Sequence, residues 1–176
     1  MRTAHNIIFL LLILLFLSAT TTFGCSCGQG SDSRSARDIW IGSINGSAAV
    51  FSGKVVGFEF RKGITVDYAE EQKQKHPKLT YETKVIKFQV DRWWKAGLSP
   101  TVEILTNETK GSDGFGTSSG CDYNFTKGET YIVFASGSSS ALRTSSCSRT
   151  TSTKVAWYSE ILDLIGPGTA PDSPEK

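Results

Sequence analysis

The chain has 176 residues and a formal charge of +2, with 19 basic against 17 acidic side chains. The basic residues are scattered rather than clustered, which excludes the electrostatic footprint of nucleic-acid binding and a polybasic membrane patch. From Cys25 onward about 150 residues remain, enough for one domain that hides about two-thirds of the surface its unfolded chain exposes.

Arg2 followed by the aliphatic run Ile7 to Leu17 has the layout of an export signal, shorter than the roughly 20 apolar residues that span a bilayer. Ser18 to Thr22 breaks the run, and Thr22 and Gly24 are small residues suited to cleavage before Cys25. Residues 1–24 are therefore expected to be a signal peptide, and the mature chain to begin on Cys25 with a free α-amine in a secreted, extracellular setting. Two other routes are open. One is an uncleaved anchor. In the other, Gly24-Cys25 resembles the end of a bacterial lipobox, which would lipidate Cys25 and attach the chain to a membrane, although Thr22 stands where such boxes favour leucine.

Export places the cysteines at 25, 27, 121 and 147 in an oxidising compartment, where an even count reads as a disulfide framework with three possible pairings. A Cys25–Cys27 bridge would close a strained ring, and in an extended segment those side chains point to opposite faces. Separate distant partners are favoured, and chain order favours Cys25 with Cys121 and Cys27 with Cys147. A zinc site built from the four is disfavoured, because C-x-C with two lone partners lacks the paired knuckles of structural zinc.

Gly28 to Ser47 is polar, with Ile39, Trp40, Ile41 and Ile44 as apolar anchors, and Ala36 to Ile44 is expected to form one or two helical turns pressing Trp40 on the core. Ala48 to Phe60 reads as a long strand bent at Gly53 and Gly57. Arg61 to Lys78 is a charged, solvated hairpin arm that contains Glu70, Glu71 and His76. Leu79 to Trp94 is a second strand, with Ile86, Phe88 and Val90 alternating against Lys87, Gln89 and Asp91; Trp93 and Trp94 divide into one core and one surface aromatic. After a turn at Gly97 and Pro100, Thr101 to Thr106 is a short third strand. Residues 107–120 read as a long flexible loop that ends on Cys121. Thr130 to Ala135 and Leu142 to Cys147 are strands four and five. Val155 to Ile165 has helical spacing and stops at Gly166-Pro167, and the tail, 166–176, is expected to be disordered.

This order predicts a mainly β fold, a five-stranded Greek-key barrel of the OB type with flanking helices, including a C-terminal one. Strand pattern alone leaves a β-sandwich open. The need for Cys25 and Cys27 to reach both the loop before strand four and the end of strand five favours the barrel.

Cys25-Ser26-Cys27, Val50-Phe51-Ser52-Gly53-Lys54-Val55-Val56-Gly57, Val90-Asp91-Arg92-Trp93-Trp94-Lys95, Cys121-Asp122-Tyr123 and Ser145-Ser146-Cys147-Ser148 together resemble the netrin-like domain, specifically the inhibitory domain of the tissue inhibitors of metalloproteinases. The likeness covers roughly residues 25–165. It implies an OB barrel whose first cysteine chelates the catalytic zinc of a target protease through its backbone amine and carbonyl. The partner would be a zinc metalloprotease, and the chain would need no cofactor of its own, no small-molecule substrate and no nucleic acid. A zinc protease keeps three protein ligands and an open position for water, which the Cys25 nitrogen and carbonyl oxygen would take. An α-amine has a pKa near 8, so its deprotonation costs about 1 kcal/mol at neutral pH. The resemblance further implies that Ser26 enters the protease's pocket, that Cys27 fixes the direction of the segment, and that Ser118, Ser119 and Gly120 form a second ridge tied through Cys121.

The chain departs from that family in four places. Gly28-Gln29-Gly30 replaces a proline-containing run, a third disulfide and the cysteine-rich carboxyl domain have no counterpart, and Asp122 stands where the inhibitors have glycine. An enzyme is not expected, since His76 is the single histidine after Cys25 and no cysteine would stay free as a nucleophile. The alternative is a netrin-like extracellular binding module that inhibits nothing, anchored at Cys25 if lipidated. Asn45, Asn107 and Asn124 head glycosylation sequons that matter only in a eukaryotic secretory pathway.

Overall fold

The two stretches with the clearest alternation, rich in Val and Phe, form the two longest strands. In the computed structural model, which describes residues 25, 27, 33–64, 74–75 and 79–172, these are β1 (Ala49–Lys62) and β2 (Tyr81–Lys95). They pair antiparallel, with Phe51 opposite Trp93 and Val55 opposite Phe88, and the register slips between Ser52 and Gly53 and between Val55 and Gly57. The bends expected at Gly53 and Gly57 fall there. Gly53 is required by close approach, because a Cβ on it would lie 2.7 Å from the Gln89 carbonyl oxygen.

The remaining elements are α1 (Ala36–Gly46), β3 (Thr101–Gly111), β4 (Gly116–Thr117), β5 (Thr130–Ser138), β6 (Ala141–Arg143), β7 (Thr151–Ser152) and α2 (Tyr158–Ile165). The sheet runs β1-β2-β3-β6-β5, and β5 pairs back on β1 to close a ring of five strands, with β4 on β3 and β7 on β5. All pairs are antiparallel except β3 with β6, joined through Leu105 and Arg143, so the sheet is mixed.

Strand alternation gives the ring two apolar faces. One gathers Phe51, Val55, Ile86, Phe88, Val90, Trp93, Ile104 and Val133. Phe51 is the centre of this cluster, its ring 5.4 Å from Phe88 and 5.3 Å from Trp93. The other face carries Val50, Ile132 and Phe134, covered by Trp40 and Ile44 of α1 and by Tyr158, Ile161 and Ile165 of α2. Helix α1 is longer than the expected one or two turns, with Ser35 as its N-cap accepting from the Asp38 N–H. It sets Trp40 on Phe134 at 5.7 Å between centroids.

Four stretches differ from the sequence reading. Residues 107–111, expected to be loop, continue β3, and Thr109 pairs with Thr83 on one side and Thr117 on the other. Thr109 is buried, but its hydroxyl bonds Thr117 Oγ1 at 3.0 Å, so a polar strand segment is satisfied without an apolar pattern. The fifth strand stops at Arg143, and Cys147 lies in a turn rather than at a strand end. The last helix begins at Tyr158, not Val155. The expected disordered tail turns back instead: Thr169 bridges Trp93, and the Asp172 N–H donates to the Leu98 carbonyl. Of the two tryptophans expected to divide between core and surface, Trp93 is buried and Trp94 is half-buried, with its indole N–H on the Gly166 carbonyl. Most of the charged arm, including Glu70, Glu71 and His76, lies outside the described residues, as do 1–24 and 173–176.

Candidate functional site

All four cysteines meet at one corner. Cys25 is bonded to Cys121 and Cys27 to Cys147, with Cα separations of 4.9 and 5.2 Å, the pairing that chain order favours. The two bridges touch, since Cys25 Sγ is 3.5 Å from Cys147 Sγ. Cys27 and Cys147 are exposed, while Cys25 and Cys121 are half-buried.

Two short segments present these cysteines. On one, Ser118 and Gly120 are exposed and Ser119 is half-buried. Ser119 builds the turn, its Oγ accepting from the Cys121 N–H at 3.1 Å and its carbonyl from the Asp122 N–H at 3.1 Å. Residues 118–120, expected as a contact ridge, lie directly before the bridged Cys121. Phe58, Lys84 and Asp122 line a small cavity of about 200 Å³ together with it. Ser26 lies outside the described residues.

The other segment, 144–150, leaves the sheet because side-chain hydroxyls replace ladder bonds. Thr144 Oγ1 donates to the Phe134 carbonyl at 2.9 Å, and the Phe134 N–H donates to Thr150 Oγ1 at 3.0 Å. Ser148 Oγ lies 2.8 Å from both threonine hydroxyls. Two hydroxyls hold the excursion to β5 and Ser148 joins them, with Cys147 in the turn between. The two segments also join directly: Asp122 bridges Ser145, and the Ser146 N–H donates to the Cys121 carbonyl at 2.8 Å.

Asp122 has a structural account. Its carboxylate accepts from the Asn107 backbone N–H at 2.9 Å and from Asn107 Nδ2 at 3.0 Å, while Arg143 Nη1 donates to Asn107 Oδ1 at 3.4 Å. Burial pushes the Asp122 carboxyl above its ordinary range, partly offset by the two bonds from Asn107. A clamp between β3 and the Cys121 turn results. Sequence reasoning took Asn107 only as the head of a sequon; the adjacent polar strand gave no sign that its amide is used inside the fold. Asn45 and Asn124 are exposed.

Neither a known protein family nor a curated protein matches this chain. Its function therefore has to be read from the corner itself. Among the described residues no group of three His, Cys, Asp or Glu side chains could hold a metal ion. No described helix is long and apolar enough to cross a membrane. The corner ties residue 25 to the 118–121 turn and residue 27 to the 144–150 excursion, and the two turns are bonded to each other.

Proposed function

We propose that the mature protein is a secreted inhibitor of a zinc metalloprotease, built on an OB-type Greek-key barrel of the netrin-like kind. Signal cleavage before Cys25 would leave its amine and carbonyl to chelate the protease's zinc, with Ser26 entering the pocket beyond the metal and Ser118, Ser119 and Gly120 making the second contact ridge.

The observation that supports this reading best is the meeting of both bridges at Cys25 and Cys27. Residue 25 is tied to the 118–121 turn and residue 27 to the 144–150 excursion. A segment anchored at alternate residues loses little conformational freedom on binding, so more of its contact energy appears as affinity. A chelating amine needs that fixity, because the metal must be met by two atoms of one residue at once.

The test is titration of a panel of secreted zinc proteases with wild-type protein, with a form extended by one alanine before Cys25, and with a form acetylated on its terminal amine. Both modifications keep the disulfides and displace or disable the nitrogen ligand. Inhibition by the unmodified form is expected to weaken by several kcal/mol in each, where every 1.4 kcal/mol is about tenfold. Equal inhibition by all three forms would rule out chelation, and no inhibition by any would favour a binding module.

A further inference from the structure

On the far side of the Cys27–Cys147 bridge, between α1 and residues 146–151, lies an open cleft of about 740 Å³. Its floor is aromatic. Trp40 lies 6.3 Å from Trp157, a residue that is 43% exposed although it is one of the largest apolar groups in the chain. Arg149 completes the cleft, its guanidinium carbon 5.2 Å from the centre of the Trp40 ring and its Nε–H donating to Ser43 Oγ at 2.9 Å.

This arginine differs from Arg61 and Arg143. Arg61 is paired with Glu59 and Glu103, and Arg143 is bonded to Asn107. Among the described residues Arg149 forms no ion pair, and no carboxylate lines the cleft. A guanidinium has five N–H donors in a fixed fork, of which Ser43 takes one. Stacking on Trp40 and the bond to Ser43 hold the fork in place before any ligand arrives.

The geometry points to a binding site for a carboxylate carried on a flat apolar body. The remaining N–H groups of the Arg149 fork donate to the carboxylate in two parallel bonds, and the exposed Trp157 ring receives the apolar part. A monoanion fits better than a phosphate or sulfate dianion. Among the described residues one cation lines the cleft, and the carbonyl end of α1, which carries partial negative charge, borders it at Gly46 and Ser47. That end is already capped by the Ser47 N–H and Oγ on the Ser43 and Ile44 carbonyls. Such a ligand could be a free aromatic acid or an acidic residue beside an aromatic one in a peptide. The inference does not depend on protease inhibition.

The four tryptophans supply the test with its own reference. Trp93 donates its indole N–H to the Ser99 carbonyl and Trp94 to the Gly166 carbonyl, both away from the cleft. In ¹⁵N-labelled protein, titration with 3-phenylpropanoate is expected to shift the Trp40 and Trp157 indole signals saturably and leave those of Trp93 and Trp94 in place. Arg149→Ala should weaken binding about tenfold or more, Arg149→Lys by less, and 3-phenylpropanamide and inorganic phosphate should bind at least tenfold more weakly than the acid. Acetyl-Asp-Phe-amide, run in parallel, separates the sources: tighter binding than the free acid identifies a peptide ligand, weaker binding a small acid. Unchanged Trp93 and Trp94 signals in the variants certify the fold, and Trp157→Ala, at an exposed position, offers a second route. Equal shifts with the amide, no effect of either Arg149→Ala or Trp157→Ala, or the lack of any saturable shift would overturn the assignment.

Discussion

Phe51, inside the ring, is fully buried between Phe88 and Trp93, whereas Cys147, at the corner, is exposed in a turn of serines and threonines. The first position is fixed by packing, which is non-directional and shared among many neighbours. The second is fixed by a covalent bond and a few hydroxyls. An exposed turn cannot be fixed by burial, so it is held by directional ties instead. Damage to the ring should therefore be global, and damage to the corner should be local.

The largest effect belongs to the ring. Phe51→Ala removes an aromatic side chain from the centre of the interior cluster and is expected to cost about 3–5 kcal/mol, measured by urea unfolding. A loss below about 1 kcal/mol would mean that the interior can collapse around the cavity, and the contrast with the corner would fail.

Next comes the bridge. Replacing Cys27 and Cys147 with serine should cost roughly 2–5 kcal/mol in thermal melts, mostly by freeing the unfolded chain. The Trp93 indole N–H signal in the ¹⁵N spectrum of the folded variant should stay native, because the ring keeps its own packing. A shift in that signal would show that the bridge shapes the interior.

The same contrast explains what the sequence discloses. β1 and β2 are readable because the faces of the ring demand alternation, and Gly53 is readable because only glycine tolerates the Gln89 carbonyl so near. Both cysteine pairs followed from chain order. The polar end of β3 is hidden, since Thr109 is buried by pairing hydroxyls rather than by apolar character. The 144–150 excursion is hidden for a related reason: Thr144, Ser148 and Thr150 look like strand or loop residues until Phe134 is placed between them. Nothing in the sequence indicated that Trp157 would be exposed beside Arg149 or that Asn107 would clamp Asp122.

A smaller effect sharpens the corner's side of the comparison. Thr150→Val keeps the shape but leaves the Phe134 N–H without its acceptor, and should cost about 1–3 kcal/mol. Chemical denaturation measures it. A neutral result would mean that Ser148 takes over the bond.

The smallest effects are electrostatic and opposite in sign. Asp122 has a folded pKa raised above the ordinary 3.8, so the folded state holds its proton more tightly. Its contribution to stability falls as pH rises from below that value through the raised one. Glu59 and Glu103 are lowered by their bonds to Lys87 and Arg61. Their contribution is present above the ordinary 4.5 and is lost as pH falls through the lowered values. Between about pH 3 and pH 7, the stability of wild type relative to Asp122→Asn should decline, while that relative to Glu103→Gln should grow and fade in high salt. The same slope in both comparisons would contradict the burial assigned to Asp122.

The account rests on Cys25 becoming a free, rigidly held terminus, and intact mass with amino-terminal sequencing of the secreted protein tests that most directly. The expected result is a chain that starts at Cys25 with an unmodified amine and a mass showing both disulfides closed. Residues retained before Cys25, or lipid on its sulfur with Cys121 left as a thiol, would contradict it.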